Sequence, residues 1–542
     1  MSDLLPCPPR SAWLRNAAVL VGLVGGAAFG VLHWFEKPVT VTKDAPVAEQ
    51  GDTGMVAKAV DAEFEEEWAA NGEEPAPLAD DLTLMRRLSL VLTGSIPSLQ
   101  EIREFQAMTG TDRTRRWLSR LLADRRTSDY LAERLARAFV GTENGPFLIY
   151  RRRRLVEWLG DALLQNRPYD RIVRELIDSK GVWTTSPQVN FITVTNEPGK
   201  GPDEAKLAVR VSRAFLGVRI DCVECHDGKL GSPWKQADFH QLAAFFGQTD
   251  FALTGLRDDP KDRYKARYLG QTEEAVIPAQ VPWKTELLPE KGGPRARLAR
   301  WVTAPENRAF ARATVNRLWA LLFNRPLVSP VDDLPLAGPF PPGLERLADD
   351  FIAHGFDLHR LIGVITATRV FQMSSLSENP EAERRWAAFP VTRLRPEQMA
   401  GSVIQAASLT TLDAEAHVLL RIKRDLDVGN FVKRYGDTGE DDFEDGGGTI
   451  PQRLLLMNGN MVSENVRNNP LVNAGTRIAM LAPDDRTAVE TAYLAIFTRR
   501  PTEAERGHFE GLLASSKGNG RQNVMSDLYW TLMNATEFSW NH

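Results

Sequence analysis

Hydrophobic positions recur with the period of an amphipathic helix along most of this chain. Leu82, Met85, Leu88 and Val91 fall at three-residue steps on one face, which predicts a helix that Gly94 ends. Ser98 and Glu101, after Pro97, have capping-box spacing, in which each side chain satisfies a backbone N–H left open at a helix start. Trp117, Leu118, Leu121 and Leu122 predict a further helix, and Leu155, Trp158, Leu159 and Leu163 another. The run Asp238–Phe246 also reads as helical. Pro396 suits the first turn of a helix continuing from Glu397, and Thr502 with Glu505 repeats the capping box. Strand-like alternation is confined to short runs such as Phe191–Val194.

The pattern breaks in three places. Ala17 to Leu32, extended by Trp34 and Phe35, is apolar over close to the roughly 20 residues that a helix needs to cross a bilayer. Arg10 and Arg15 precede it, which predicts the N-terminus inside and the remainder outside. Gly26, Ala27 and Ala28 could instead host a signal cleavage, leaving a secreted chain. Residues 251–293 are rich in proline, glycine and charge and read as an inter-domain connection; Pro335–Pro342 is a second such break. The expected fold class is mainly α, with two helical domains behind an N-terminal transmembrane or signal segment. Residues 1–16 form the cytoplasmic N-terminus, 17–35 the membrane or signal segment and 36–58 a polar linker. The first helical domain spans 59–250, residues 251–293 connect, and the second spans 294–542.

Composition narrows the function classes. The 542 residues are 43% hydrophobic and 25% charged, ordinary for globular domains. A net charge of -5 argues against nucleic acid as a partner, because that role calls for a basic field. Three cysteines cannot build a disulfide framework. Cys7 precedes the apolar run and is expected to stay cytoplasmic.

The other two cysteines carry the chemistry. Asp221-Cys222-Val223-Glu224-Cys225-His226-Asp227 contains Cys-x-x-Cys-His, the attachment pattern of c-type haem. Thiols one turn apart can each form a thioether with a haem vinyl group, and the adjacent imidazole takes the proximal iron position. The expected cofactor is one covalent haem c held by Cys222, Cys225 and His226. Three other readings stand beside it: a redox disulfide, a metal held by the trio with His240 as fourth ligand, and a turn with no ligand. The sixth iron position has several candidates. His240 is the candidate distal ligand near the motif, with His354, His359 and Met373 farther off, and a vacant position is the other option.

Residues 59–250 resemble the planctomycete cytochrome-like domain of unknown function. The resemblance rests on Leu84-Met85-Arg86-Arg87-Leu88-Ser89-Leu90-Val91-Leu92-Thr93-Gly94, on Phe215-Leu216-Gly217-Val218-Arg219-Ile220 with the cysteine motif, on Trp234, and on Leu242-Ala243-Ala244-Phe245-Phe246. Residues from about 294 onward resemble the planctomycete-specific domain that commonly follows it, through Val315-Asn316-Arg317-Leu318-Trp319-Ala320, Pro330-Val331-Asp332-Asp333, Asp349-Asp350-Phe351, Arg369-Val370-Phe371-Gln372-Met373 and the terminal Asn534–His542. The resemblance implies an exported, haem-associated protein and assigns no reaction. Family members often carry a second histidine two residues after the motif histidine; here that position is Gly228.

Asp332 and Asp333 are candidates for acid–base work or a hard cation, against a helix cap or a salt bridge to Arg317 or Arg325. The basic run Arg151–Arg154 suits haem propionates or a solvated helix face, and the acidic stretch 437–448 reads as a loop. The expectation is therefore an exported, membrane-anchored c-type haem protein that transfers electrons or serves an extracytoplasmic oxidoreductase, with a redox partner protein. The alternatives are a haem-free or metal-binding assembly module, and an exported enzyme acting on complex carbohydrates around Asp332 and Asp333.

Overall fold

Short-range signals in the sequence become helices at the expected places. In the computed structural model, which describes residues 50–142, 150–197, 199–228, 233–252, 254–412, 428–436, 443, 449–470 and 473–542, helices dominate and strands are short antiparallel pairs. Helix Asp81–Thr93 starts on the Asp80 carboxylate, which accepts from the N–H groups of Leu82 and Thr83. It ends at Gly94, whose φ of 69° lets its N–H donate back to the Leu90 carbonyl. The Ser98/Glu101 and Thr502/Glu505 capping boxes both form, at helices Leu99–Ala107 and Glu503–Ala514. Helices Arg113–Leu122, Arg152–Leu164, Gln236–Ala243 and Pro396–Ala406 cover the other expected segments.

One local expectation fails. Phe191–Val194 is not a strand; Asn190–Thr193 forms a short helical turn, buried at every position. Its start is fixed by Asn190, whose side-chain oxygen accepts from the Arg151 N–H at 2.6 Å while its amide donates to the Pro187 carbonyl at 2.7 Å. Burial on all sides erases the polar–apolar alternation that separates the two structures in sequence.

Residues 46–542 form one compact unit. Its main core draws on both sides of the 251–293 connection, running from Ala57 and Phe64 through Phe215 and Leu216 to Trp319 and Phe389. The connection is two small hairpins, Thr249–Ala252 with Gly255–Asp258 and Lys265–Ala266 with Ala275–Val276, and it does not separate two cores. Helix Gln50–Asn71, which takes in residues 50–58 of the expected linker, packs on the later helices Leu344–Ala353 and Leu358–Ala367. Phe64 stacks on Trp319 with centroids 5.9 Å apart, and Trp68 Nε1 donates to the Arg385 carbonyl at 2.9 Å.

A second core gathers Leu90 and Ile96 with residues from Leu394 to Phe538. Helix Asp81–Thr93 serves both cores: Met85, Leu88 and Val91 enter the first and Leu90 the second, its buried Arg86 donates to the Ile496 carbonyl at 3.0 Å, and its Leu90 carbonyl accepts from Gln398 at 2.9 Å. Among the described residues, no helix is long and apolar enough to cross a membrane. The apolar segment 17–35 and Cys7 lie outside the described residues, as does all of the acidic stretch 437–448 except Phe443.

Candidate functional site

The Cys-x-x-Cys-His motif sits on a tight turn delivered by an unusual helix end. Helix Glu204–Val211 continues into a π-helical turn, Ser212–Leu216, and stops at Gly217 in the left-handed region with φ 61°. The wider turn and the left-handed glycine redirect the chain, and the Val218 N–H closes back on the Ser212 carbonyl at 3.0 Å. Val218, Ile220 and Val223 are buried and peg the next stretch to the core. Asp221–Val223 is then a single 3-10 turn, with the Val223 N–H donating to Ile220 and the Glu224 N–H to Asp221.

This pegging decides where the sulfurs go. Val223 is inside, so Cys222 and Cys225 on either side of it are exposed, and both are free thiols. His226 is half-buried, with Nδ1 at 2.7 Å from the Asp227 carbonyl, which leaves Nε2 as its available nitrogen. Below the turn, Gln236 Nε2 donates to the Glu224 carbonyl at 3.0 Å, and the Gln236 N–H donates to the Asp227 carboxylate at 2.9 Å. The Gly228 N–H donates to the Trp234 carbonyl at 2.9 Å; residues 229–232 are outside the described residues.

His240 lies behind the motif on helix Gln236–Ala243. Its ring is 7% exposed and packs against Phe239, Tyr264 and Tyr268. Nδ1 is 2.9 Å from the Tyr264 hydroxyl, while Nε2 is buried without a well-formed hydrogen bond. Burial pushes its pKa down, opposed by the nearby Glu224 carbonyl. A ring sealed on three sides presents no open coordination position to the exterior. The remoter candidates are engaged elsewhere. His354 contacts Asp52 and Asp350, His359 lies beside Asn166 and Leu163, and Met373 is fully buried.

The fit of the motif to each ligand class can be judged from these atoms. Among the described residues, the one set of three ligand atoms within 4.8 Å of one another is Asp52, Asp350 and His354. Arg360 already covers both of those carboxylates, at 2.7 and 2.8 Å, which makes the set an ion-pair cluster. Cys222, Cys225 and His226 do not converge in that way, whereas a tetrahedral metal needs its ligands gathered around one point. Two outward thiols and an imidazole oriented by a backbone carbonyl suit a large planar group attached at separate edges.

Asp332 is placed by the second half of the chain and works for the first. It is buried, and it accepts from Arg213 Nε at 2.6 Å and from Arg219 Nε at 2.9 Å. Burial alone would raise its pKa, but the two guanidinium groups outweigh that and hold the carboxyl below its ordinary value. A carboxylate bound by two arginines is not poised to accept or donate protons. The salt-bridge reading is correct in kind, but the partners are Arg213 and Arg219, not Arg317 or Arg325. Arg317 instead donates to the Arg213 carbonyl at 3.5 Å. Asp333 is exposed beside it, with only its N–H turned to the Pro330 carbonyl.

The basic run is engaged by nearby groups: Arg152 pairs with Glu133, Arg153 and Arg154 with Glu157, and Arg151 lies over Trp183. Residues that the sequence reading missed are Gln236, which braces the motif, and Arg213 and Arg219, whose partner is far away in the chain. No periodicity marks them; only their proximity to Phe215-Leu216-Gly217 was a clue.

The chain matches the family described as PSCyt2, protein of unknown function (DUF1549), over residues 59–251, and the family described as PSD1, protein of unknown function (DUF1553), over residues 294–421. No curated protein and no solved structure matches it. These two matches take in most of the compact unit, including the motif turn and the Asp332 segment that holds it, and the chain carries these two domains of unknown function in this order.

Proposed function

We propose that this is an exported c-type haem protein, held to the membrane by residues 17–35, that passes single electrons to or from a partner oxidoreductase. Cys222 and Cys225 supply the two thioether sulfurs, and His226 supplies Nε2 to the iron. The observation that carries this reading is the arrangement of the turn. Both thiols are outside and free, the residue between them is the buried peg, and His226 is oriented by the Asp227 carbonyl. Haem bound there supplies one-electron redox chemistry.

The protein's own contribution is orientation and charge. Asp227 fixes the imidazole through its carbonyl and the start of helix Gln236–Ala243 through its carboxylate. Asp221, Glu224 and Asp227 form an exposed acidic margin, which favours a redox partner with a basic face and a salt-sensitive encounter. The metal-chelate alternative lacks a convergent ligand set at the motif, and the carbohydrate alternative loses Asp332 to its two arginines.

The test is a pyridine haemochrome spectrum and an intact mass on protein produced with an active c-type maturation system. One covalent macrocycle per chain is expected. A chain that emerges unmodified while a control cytochrome is matured in the same cells rejects the proposal.

A further inference from the structure

The motif turn belongs by sequence to the first matched segment, yet several of its supports come from beyond that segment. Upstream, the Leu334 N–H donates to the Gly217 carbonyl at 2.7 Å, and Asp332 holds Arg219, three residues before Cys222. Gly217 is so close to the other segment that a Cβ there would lie 2.9 Å from Leu334 Cδ1 and 3.1 Å from Ala313 Cβ. Helix Arg308–Phe323 packs directly on the π-helical turn. Downstream, Trp234 packs on Trp283 at 5.4 Å and Trp283 on Trp301 at 4.9 Å. Trp301 lies on helix Pro294–Val302 and donates to the Trp283 carbonyl at 3.2 Å. The second segment therefore braces the upstream arm of this turn directly and the downstream arm through Trp283 of the connection.

We infer that Asp332 is a positioning residue for the Cys222–Cys225–His226 site, acting through Arg219 and Arg213, and that the second domain serves to hold the attachment turn in shape. The inference that Asp332 serves haem attachment rests on the haem reading above; the inference that it orders the turn does not. The physical basis is the pairing of one buried carboxylate with two guanidinium groups on either side of the helix exit at Gly217. Arg213 lies within the π-helical turn and Arg219 lies past the left-handed Gly217, so the carboxylate spans the redirection itself. Without that charge, two like-charged side chains face each other across the bend, and the segment leading into the 3-10 turn loses its clamp.

The experiment uses the full chain as wild type, Asp332→Asn, Arg219→Gln and the double variant. Hydrogen exchange of the Val223 and Glu224 amides, which close the 3-10 turn, reports its order directly. Helix Asn519–Asn534 serves as an internal reference. Covalent haem per chain after maturation is measured on the same proteins. Asp332→Asn is expected to speed exchange at the turn about ten-fold, to leave the reference helix unchanged and to lower haem loading several-fold. In the Arg219→Gln background, the same substitution is expected to add less than it does in wild type, because the Arg219 contact is already gone and only the Arg213 pair remains to be lost. Asp332→Glu, which keeps the charge, is expected to restore part of the loading. Unchanged exchange at the turn overturns the inference; faster exchange with haem loading equal to that of a haem-bearing wild type overturns the part that ties the turn to haem attachment. If wild type itself carries no haem while Asp332→Asn still loosens the turn, the positioning role stands and the haem reading alone falls.

Discussion

The Gly217 carbonyl accepts from the Leu334 N–H at 2.7 Å, across the two matched segments and next to the redirection that delivers the cysteines. That bond and the Asp332 ion pairs join the Phe215–Ile220 signature of one domain to the Val331–Asp333 signature of the other. Two sequence features that looked separate are the two sides of one contact.

Gly217 is required twice over, by its φ of 61° and by the side chains facing it. Gly217→Ala is expected to cost about 1–3 kcal/mol, from left-handed backbone strain plus crowding against Leu334 and the immovable Ala313 Cβ. Urea denaturation of the two proteins measures it; an unchanged midpoint would refute the packing described.

Val223 is the peg between the thiols, with 0% exposure. Val223→Ala removes two buried methyl groups and is expected to cost about 2 kcal/mol. The same variant is expected to load less haem, since the turn is then free to rotate its cysteines inward.

The thiols themselves contribute nothing to packing, because both are exposed. A Cys222→Ser, Cys225→Ser double variant, made without haem, is expected to match wild-type stability within about 0.5 kcal/mol. After maturation it is expected to carry no covalent group. A large loss of stability in the unmatured double variant would instead point to a structural role for the sulfurs.

Arg360 makes a two-point contact with the buried Asp350, at 2.9 and 2.7 Å, and reaches Asp52 at the start of the first described helix. Arg360→Met leaves a buried carboxylate without its cation and is expected to cost about 3 kcal/mol. Its readout is a lower thermal midpoint, together with faster proteolysis near residue 52.

Asp61 gives a pH dependence with a definite sign. Burial pushes its pKa up to about 6, against the opposing pull of the Arg369 N–H that it accepts at 2.8 Å. The folded form holds this proton more tightly than the unfolded chain does. Its contribution to stability is full below the ordinary carboxylate range and is lost as pH rises through about 6. Asp61→Asn removes the titration, so the variant is expected to gain on wild type between pH 4 and pH 7, read from denaturation midpoints across that range. A constant difference over the range would exclude Asp61 as the group responsible.

The sequence by itself determined what is local. Helix starts at Ser98 and Thr502, the stop at Gly94 and the spacing of Cys222, Cys225 and His226 each involve residues within a turn or two of one another, where the chain cannot avoid the interaction. Tertiary structure alone decided the partners. Asp332 took Arg213 and Arg219 instead of the nearer Arg317 and Arg325, because packing brought the π-helical turn against helix Arg308–Phe323. Asn190–Thr193 became helical once buried on every side, and residues on both sides of 251–293 closed into one core. Ion pairs and core contacts are chosen by which surfaces meet, and hydrophobic periodicity records only that a face will be covered, not by what.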